Sequence, residues 1–199
     1  MSEVKTEKLS PRVTSLQLGD SGDTFTVPSG ATLDIASGAT LDTTGATVTG
    51  LSAGKVLQVV SALKNDTFSS NSTSFFDITG LSASITPSST SNKILVMAMV
   101  GCSGSGSYTA ELNLVRDSTN IAQPSGGSAP ATGKIVQRHS DVVEMVPLIF
   151  LDSPSSTSSL TYKVQGRSSH TSLTLAINYM TASSGHTTVS SLTLMEIEG

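Results

Sequence analysis

The sequence predicts an all-β protein in which a short trimeric β-helical stalk is followed by a jelly-roll-type β-sandwich head. Three observations lead to this fold. Ser, which favours turns, and Thr, which favours strands, are abundant, while aromatic residues make up only 4% of the chain. A Gly-x-Thr-apolar pattern recurs within residues 21–51, and short alternating segments separated by turns follow in residues 52–199. After the first eight residues no amphipathic helical period is present, so very little helix is expected.

The repeats in residues 21–51 predict a β stalk. The copies begin at Gly22, Gly30, Gly38 and Gly45, and each places an apolar residue three positions later. In the first two copies a second apolar residue follows two positions further on, which is the same face of a strand. The predicted trimer-core residues are Phe25, Val27, Leu33, Ile35, Leu41 and Val48.

These apolar side chains are too few to offset the backbone entropy that a single copy of the stalk loses on ordering. Three chains wound about one axis pool their apolar edges into a shared core, so the segment favours a homotrimer. The alternative interpretation is a flexible linker rich in Gly, Ser and Thr.

Residues 52–199 predict a two-sheet sandwich with about nine or ten strands. Strand-like alternation occurs at residues 55–62, 74–79, 81–85, 93–100, 108–114, 135–138, 142–151, 160–164, 173–179 and 189–197. The segment 93–100 is apolar at nearly every position, so both of its faces need cover: the partner sheet on one side and a neighbouring subunit on the other. Residues 123–133 are expected to form an exposed loop.

Composition and charge argue against several classes of protein. A net charge of −4 provides no basic surface for nucleic acid. No apolar run approaches 18 residues, so membrane insertion is not expected, and the polar N-terminus does not resemble a secretory signal. The single cysteine, Cys102, forms no internal disulfide, which agrees with synthesis in a cytoplasm.

The sequence does not support an enzymatic or metal site. His139, Ser140 and Asp141 are adjacent, whereas the members of a hydrolase triad converge from separate segments. His170 and His186 lie far from His139 and from each other, without the spacing of metal ligands. We therefore expect no catalytic residues, no bound metal, no cofactor and surface positions for the histidines.

Six segments carry distinctive phrases: VPSGATLDIASGATL at 27–41, GKVLQVV at 54–60, ITPSSTSNKILV at 85–96, LVRDS at 114–118, FLDSP at 150–154 and TYKVQ at 161–165. Together they resemble the short trimeric fibre, spike and decoration proteins of tailed bacteriophages, particularly the aquatic and cyanobacterial phage type. The resemblance extends over nearly everything after residue 20.

This resemblance implies a non-enzymatic homotrimer in the virion, assembled in the host cytoplasm. Residues 1–20 would attach to other capsid or tail proteins, and a jelly-roll head similar to the tumour-necrosis-factor and complement families would point outward. The short chain favours a head fibre or capsid decoration protein. One alternative is a tail fibre whose head binds host surface glycan through loops 101–107, 123–133 and 166–172. Another is a depolymerase-type tailspike, a class that needs a longer solenoid with clustered carboxylates.

Overall fold

The computed structural model describes residues 55–104, 109–127, 130–136 and 142–199, together with the isolated positions 26, 27, 29, 32 and 37. The chain divides into two compact units, Met1–Val48 and Thr49–Gly199, and every described strand belongs to the second. The predicted attachment segment 1–20 lies outside the described residues, as does nearly all of the predicted stalk 21–51. Of the predicted trimer-core residues only Val27 is described, and it is half-buried and outside any strand; those outside the description are Phe25, Leu33, Ile35, Leu41 and Val48.

The described residues form thirteen strands and no helix, which confirms the predicted all-β class. The strands are β1 (Val56–Lys64), β2 (Phe68–Ser70), β3 (Phe76–Ile85), β4 (Lys93–Gly104), β5 (Thr109–Arg116), β6 (Thr119–Ile121), β7 (Gly133–Val136), β8 (Glu144–Asp152), β9 (Leu160–Ser168), β10 (Leu175–Ile177), β11 (Tyr179–Met180), β12 (Ser183–Thr187) and β13 (Ser190–Ile197).

Eleven of the described strands pair into the two antiparallel sheets of a jelly-roll sandwich, and β11 and β12 form a separate two-stranded sheet. In the first sheet β13 lies between β1 and β4, β8 flanks the other side of β4, and β10 and β2 extend one end. In the second sheet β9 lies between β3 and β5, and β6 and β7 both pair with β5. Eight strands form the main body of the sandwich: β1, β3, β4, β5, β7, β8, β9 and β13. In this set the first strand pairs with the last (β1 with β13), the second with the seventh (β3 with β9), the third with the sixth (β4 with β8) and the fourth with the fifth (β5 with β7). This nested pairing is the jelly-roll arrangement.

The core lies between the two sheets, and several of its strands show alternating burial. Along β9 and β13 every second residue is buried, because successive side chains of a strand point to opposite faces. From β4 the inward side chains are Ile94, Val96 and Ala98, and from β5 they include Leu112 and Leu114. The sandwich thus has one continuous apolar interior.

The two ends of the sandwich differ. Val56 pairs with Ile197, and the amide of Glu198 donates to the Lys55 carbonyl over 2.9 Å. Lys55 and Glu198 therefore lie at the same end of the sandwich, here called the entry end. At the opposite, distal end, the first sheet continues into β10 and β2.

A buried polar cluster links the two sheets near the entry end. Asp152 of β8 accepts hydrogen bonds from Tyr162 Oη over 2.7 Å and from Arg116 Nη1 over 2.5 Å. Burial, followed by the bond to the Asp152 carboxylate, raises the pKa of Tyr162, so the phenol stays protonated and acts as a donor. Because Arg116 and Tyr162 belong to the second sheet and Asp152 to the first, the cluster fixes the sheets relative to one another.

Asn178 organises the distal end. The residue is fully buried and has a positive φ of 65°, a conformation that Asn tolerates better than most residues. Its Nδ2 donates to the carbonyls of Lys64 and Asp66, and its Oδ1 accepts from Ser190 Oγ. One side chain therefore joins the end of β1 to the start of β13.

Three local expectations need correction. The predicted strands 74–79 and 81–85 are one strand, β3, in which Gly80 (φ 89°) takes part in a bulge that lets both Ile78 and Leu81 point inward. The predicted strand 173–179 is broken, because Asn178 has a positive φ. The predicted loop 123–133 is only partly exposed: Ala131 is buried, and the β7 strand begins within the segment.

Candidate functional site, an apolar sheet face

The outer face of the first sheet is the most distinctive surface of the sandwich. The strand registers place side chains of β1, β13, β4 and β8 side by side on this face, in three cross-sheet rows. We call these twelve positions the apolar face: Val59, Met195, Leu95 and Leu151; Ser61, Thr193, Met97 and Ile149; Leu63, Ser191, Met99 and Pro147. None of the twelve carries a charge, and only three are polar.

Several large aliphatic side chains on the apolar face are exposed to solvent. Leu63 is 66% exposed, Ile149 is 65% exposed and Val59 is 55% exposed, and Leu151 and Met99 are also exposed. Single exposed apolar residues are common in proteins, whereas a contiguous group on a flat sheet marks an interaction surface.

The strand β4 shows why this face is apolar. Its alternate residues Ile94, Val96 and Ala98 point into the core, and the intervening Leu95, Met97 and Met99 point outward. The strand is apolar on both sides, as its sequence predicts, whereas a strand with one face in water normally alternates apolar and polar residues.

The apolar face is large enough to form much of the apolar centre of a protein interface. Four strands about 4.8 Å apart and five residues of about 3.3 Å each give a projected area of roughly 300 Å². A standard interface buries about 800 Å² per partner, of which roughly 60% is apolar. The apolar face is therefore large enough to form the centre of one such contact.

The outer face of the second sheet has the opposite character. Lys163 Nζ donates to Asp77 over 2.8 Å, and Gln165 adds a second hydrogen bond to the same carboxylate. Both bonds lower the pKa of Asp77, and the bond from Lys163 has the larger effect. This charged face suits water, so the two outer faces of the sandwich have different roles.

Glu111 forms a second charged cluster on the second sheet. Its side chain lies between Lys134 Nζ, at 2.8 Å, and the Arg167 guanidinium, at 2.5 Å. Burial opposes ionisation, but the bonds from Lys134 and Arg167 outweigh it and lower the pKa of the carboxyl group. The guanidinium also stacks 4.5 Å from the Phe75 ring centre, which holds it in place.

The residues considered for chemistry are only partly described. His170 and His186 are exposed, as the sequence predicts, while His139, Ser140 and Asp141 lie outside the described residues. Across the ranges that the structure describes, no three His, Cys, Asp or Glu side chains could hold one metal ion. Burial, with a smaller effect of the nearby Glu144 charge, raises the pKa of Cys102 to about 12, so its thiol stays protonated. No helix suited to crossing a membrane occurs in the described part of the chain.

Sequence reasoning assigned self-association to the stalk residues and to the strand 93–100, and it missed the contributions of β1 and β8. Val59 and Leu63 of β1 and Ile149 and Leu151 of β8 complete the apolar face. The run Met145–Leu151 carried the same signal as β4, because it is apolar at both sets of alternate positions. Which strands lie side by side depends on long-range pairing, which the sequence pattern does not specify.

Comparison with known proteins identifies no family. No family model matches the chain, and no curated protein matches it. Among solved structures it is similar to the infectious bursal disease virus VP2 subviral particle, with 10% identity over 71% of this chain and 40% of that chain and a TM-score of 0.37. A structure of infectious bursal disease virus Gx strain gives 13% identity over 73% of this chain and 40% of that chain, with a TM-score of 0.35. This chain thus spans about 40% of the length of these structures. TM-scores below 0.5 do not establish a shared fold, so the assignment of the jelly roll rests on the strand pairing.

Proposed function

We propose that this chain is a non-enzymatic structural component of a bacteriophage virion, in which three copies assemble through the apolar face into a head fibre or capsid decoration. The observation that carries the proposal is the set of exposed aliphatic side chains on the apolar face, on a sheet whose opposite face packs into the core. Burying one such side chain contributes about 1.5–3 kcal/mol, so the face favours association strongly.

A second copy of the chain is the partner that this surface fits best. The apolar face has no charged group with which to select a differently charged protein, and it is large enough to form much of the apolar centre of a standard interface. The predicted stalk supports a threefold arrangement, since its few apolar positions also need several chains to build a core.

The placement in a virion is supported by the six segments that resemble phage fibre and decoration proteins. Residues 1–20 precede the predicted stalk, so in this proposal they hold the assembly to other virion proteins. In this proposal the head points away from the particle.

Light scattering on two matched variants tests the assembly. Ile149→Lys places a charge in the middle row of the apolar face, on β8, while Val136→Lys replaces a side chain of comparable exposure, 55%, on β7 of the other sheet. We expect trimers for the wild type and for Val136→Lys, and folded monomers for Ile149→Lys. A monomeric wild type, or Ile149→Lys trimers as stable as those of the wild type, would contradict the proposal.

The position of the distal loops favours one alternative function, a tail fibre whose head binds host surface glycan. β4 ends and β5 begins at the distal end, and β9 ends there too, so residues 101–104 of β4 and residues 166–172, the described parts of the predicted binding loops, share the end opposite Lys55. Binding of the assembled protein to host cells or their lipopolysaccharide would support this function. A well-folded trimer that does not bind would favour the decoration role.

A further inference from the structure

The apolar face is not uniform, and its relief determines how copies can meet. On β1, the edge strand, Leu63 and Val59 project into solvent. A depression of about 240 Å³ opens on the same face, across the adjoining strands β13, β4 and β8. Its lining residues are Met97, Ala98, Met99, Pro147, Ile149, Ser191 and Thr193.

The depression exists because side-chain size changes across the sheet. On β13 the face carries the small residues Ser191 and Thr193, whereas the next two strands, β4 and β8, carry Met97 and Ile149. The small side chains leave a trough between larger neighbours. Methionine is unbranched and adapts its shape, so the walls of the trough can close around an aliphatic group.

The volume suits aliphatic side chains from another molecule. An enclosed apolar cavity of about 150 Å³ holds a benzene molecule, so a depression of this size has room for about two aliphatic side chains. Leu63 of the same chain does not fill it, because that side chain remains 66% exposed. Every copy therefore presents both an unfilled depression and an unburied projection.

On the basis of the proposed function, we infer that Val59 and Leu63 of one copy insert into the depression of the next copy. The contact joins two different patches, so each copy uses its projection on one neighbour and its depression on the other. A head-to-tail contact of this kind closes into a ring. In a ring of three copies, every projection is buried and every depression is filled. The occupant of the depression is a second copy of this chain, and the contact is apolar.

Cysteine crosslinking in the full-length chain tests the contact. The Leu63→Cys/Ile149→Cys variant places one thiol on the projection and one on the rim of the depression, and the buried Cys102 stays out of reach of oxidant. Mild oxidation should convert most of this variant into a covalent trimer that reductant reverses. Leu63→Cys and Ile149→Cys separately should give no covalent product, and a mixture of the two should give only covalent dimers.

A matched control uses Leu63→Cys/Val136→Cys, because Val136 is similarly exposed but lies on the other sheet. It should form at least tenfold less crosslinked product. If light scattering shows trimers but the Leu63→Cys/Ile149→Cys variant does not crosslink, another segment of the chain or a foreign apolar molecule fills the depression, and the inference is wrong while the proposed function stands. Covalent dimers as the end product overturn the ring in favour of a twofold contact. Monomers in light scattering overturn the proposed function itself.

Discussion

At the scale of single residues, Glu196 has the most unusual environment in the sandwich. Its carboxylate is buried and accepts hydrogen bonds from Gln58 Nε2 at 2.5 Å, Asn92 Nδ2 at 2.6 Å, and the amide and hydroxyl of Ser88 at 2.6 and 2.7 Å. Burial alone would raise the pKa. The bonds from Gln58, Asn92 and Ser88 outweigh that effect and lower the pKa from 4.5 to about 2.

The lowered pKa of Glu196 predicts a loss of stability in acid. Its folded pKa lies below the unfolded value of 4.5, so the contribution is complete above about pH 4.5 and disappears as the pH falls towards about 2. We expect this residue to account for about 2 kcal/mol of unfolding free energy across that window. Thermal unfolding between pH 7 and pH 2 measures the effect.

The variant Glu196→Gln should be less stable than the wild type at pH 7 and should lose less stability between pH 4.5 and pH 2. Asp77→Asn is the control, because the Asp77 side chain is 55% exposed and its removal should leave most of the acid dependence in place. A Glu196→Gln curve that runs parallel to the wild-type curve would show that Glu196 does not carry the acid dependence.

At the scale of elements, most of the long strands were predictable, whereas the three-residue strands β2 and β6 were not. Alternation located β4, β8 and β13 to within a few residues, because each carries enough apolar positions to define a period of two. β2 and β6 have three residues each, too few for any period. β6 forms because the longer strand β5 offers it free backbone groups, and β2 pairs with the equally short β10, so both strands depend on the fold.

Gly166 shows how a residue without a side chain makes room for a side chain from the facing sheet. It occupies an inward position of β9, where a Cβ atom would lie 2.8 Å from Leu175 Cδ2. Leu175 of β10 is fully buried, so it fills the space that β9 leaves open. The sequence showed only a glycine in a strand, and the partner from β10 appears only in the structure.

A double-mutant cycle on Gly166 and Leu175 tests this packing. Gly166→Ala should cost about 1–3 kcal/mol of unfolding free energy through overpacking, and Leu175→Ala about 2–5 kcal/mol through the cavity it leaves. In the double variant the new methyl group occupies part of that cavity, so the loss should be at least about 1 kcal/mol smaller than the sum. Denaturant unfolding of the four proteins measures each value.

The control for overpacking is Gly126→Ala, where a Cβ atom would meet nothing within 4 Å. This substitution should change stability by less than about 0.5 kcal/mol. If the losses at Gly166 and Leu175 simply add, the two residues do not share the space that the structure assigns to them.

At the scale of the whole molecule, the sandwich and the need to cover the outer side of β4 were predictable, because both follow from residue patterns within single strands. The complete apolar face was not. Val59 and Leu151 lie in the same cross-sheet row although they are far apart in the sequence, and only the register of β1, β13, β4 and β8 brings them together. The contribution of the stalk 21–51 remains a prediction.

Assembly through the apolar face makes the stability of the whole molecule depend on protein concentration. For three chains that unfold as they separate, a tenfold increase in concentration stabilises each chain by roughly 0.9 kcal/mol, which is two thirds of about 1.4 kcal/mol. For a chain of this length, about 1 kcal/mol raises the midpoint of thermal unfolding by about 2–4 °C. The wild type and Val136→Lys should therefore melt about 2–4 °C higher for each tenfold increase, while Ile149→Lys should melt at one temperature throughout. A wild-type midpoint that stays constant over a hundredfold range of concentration would mean that single copies fold and remain separate, with the aliphatic side chains of the sheet left in water.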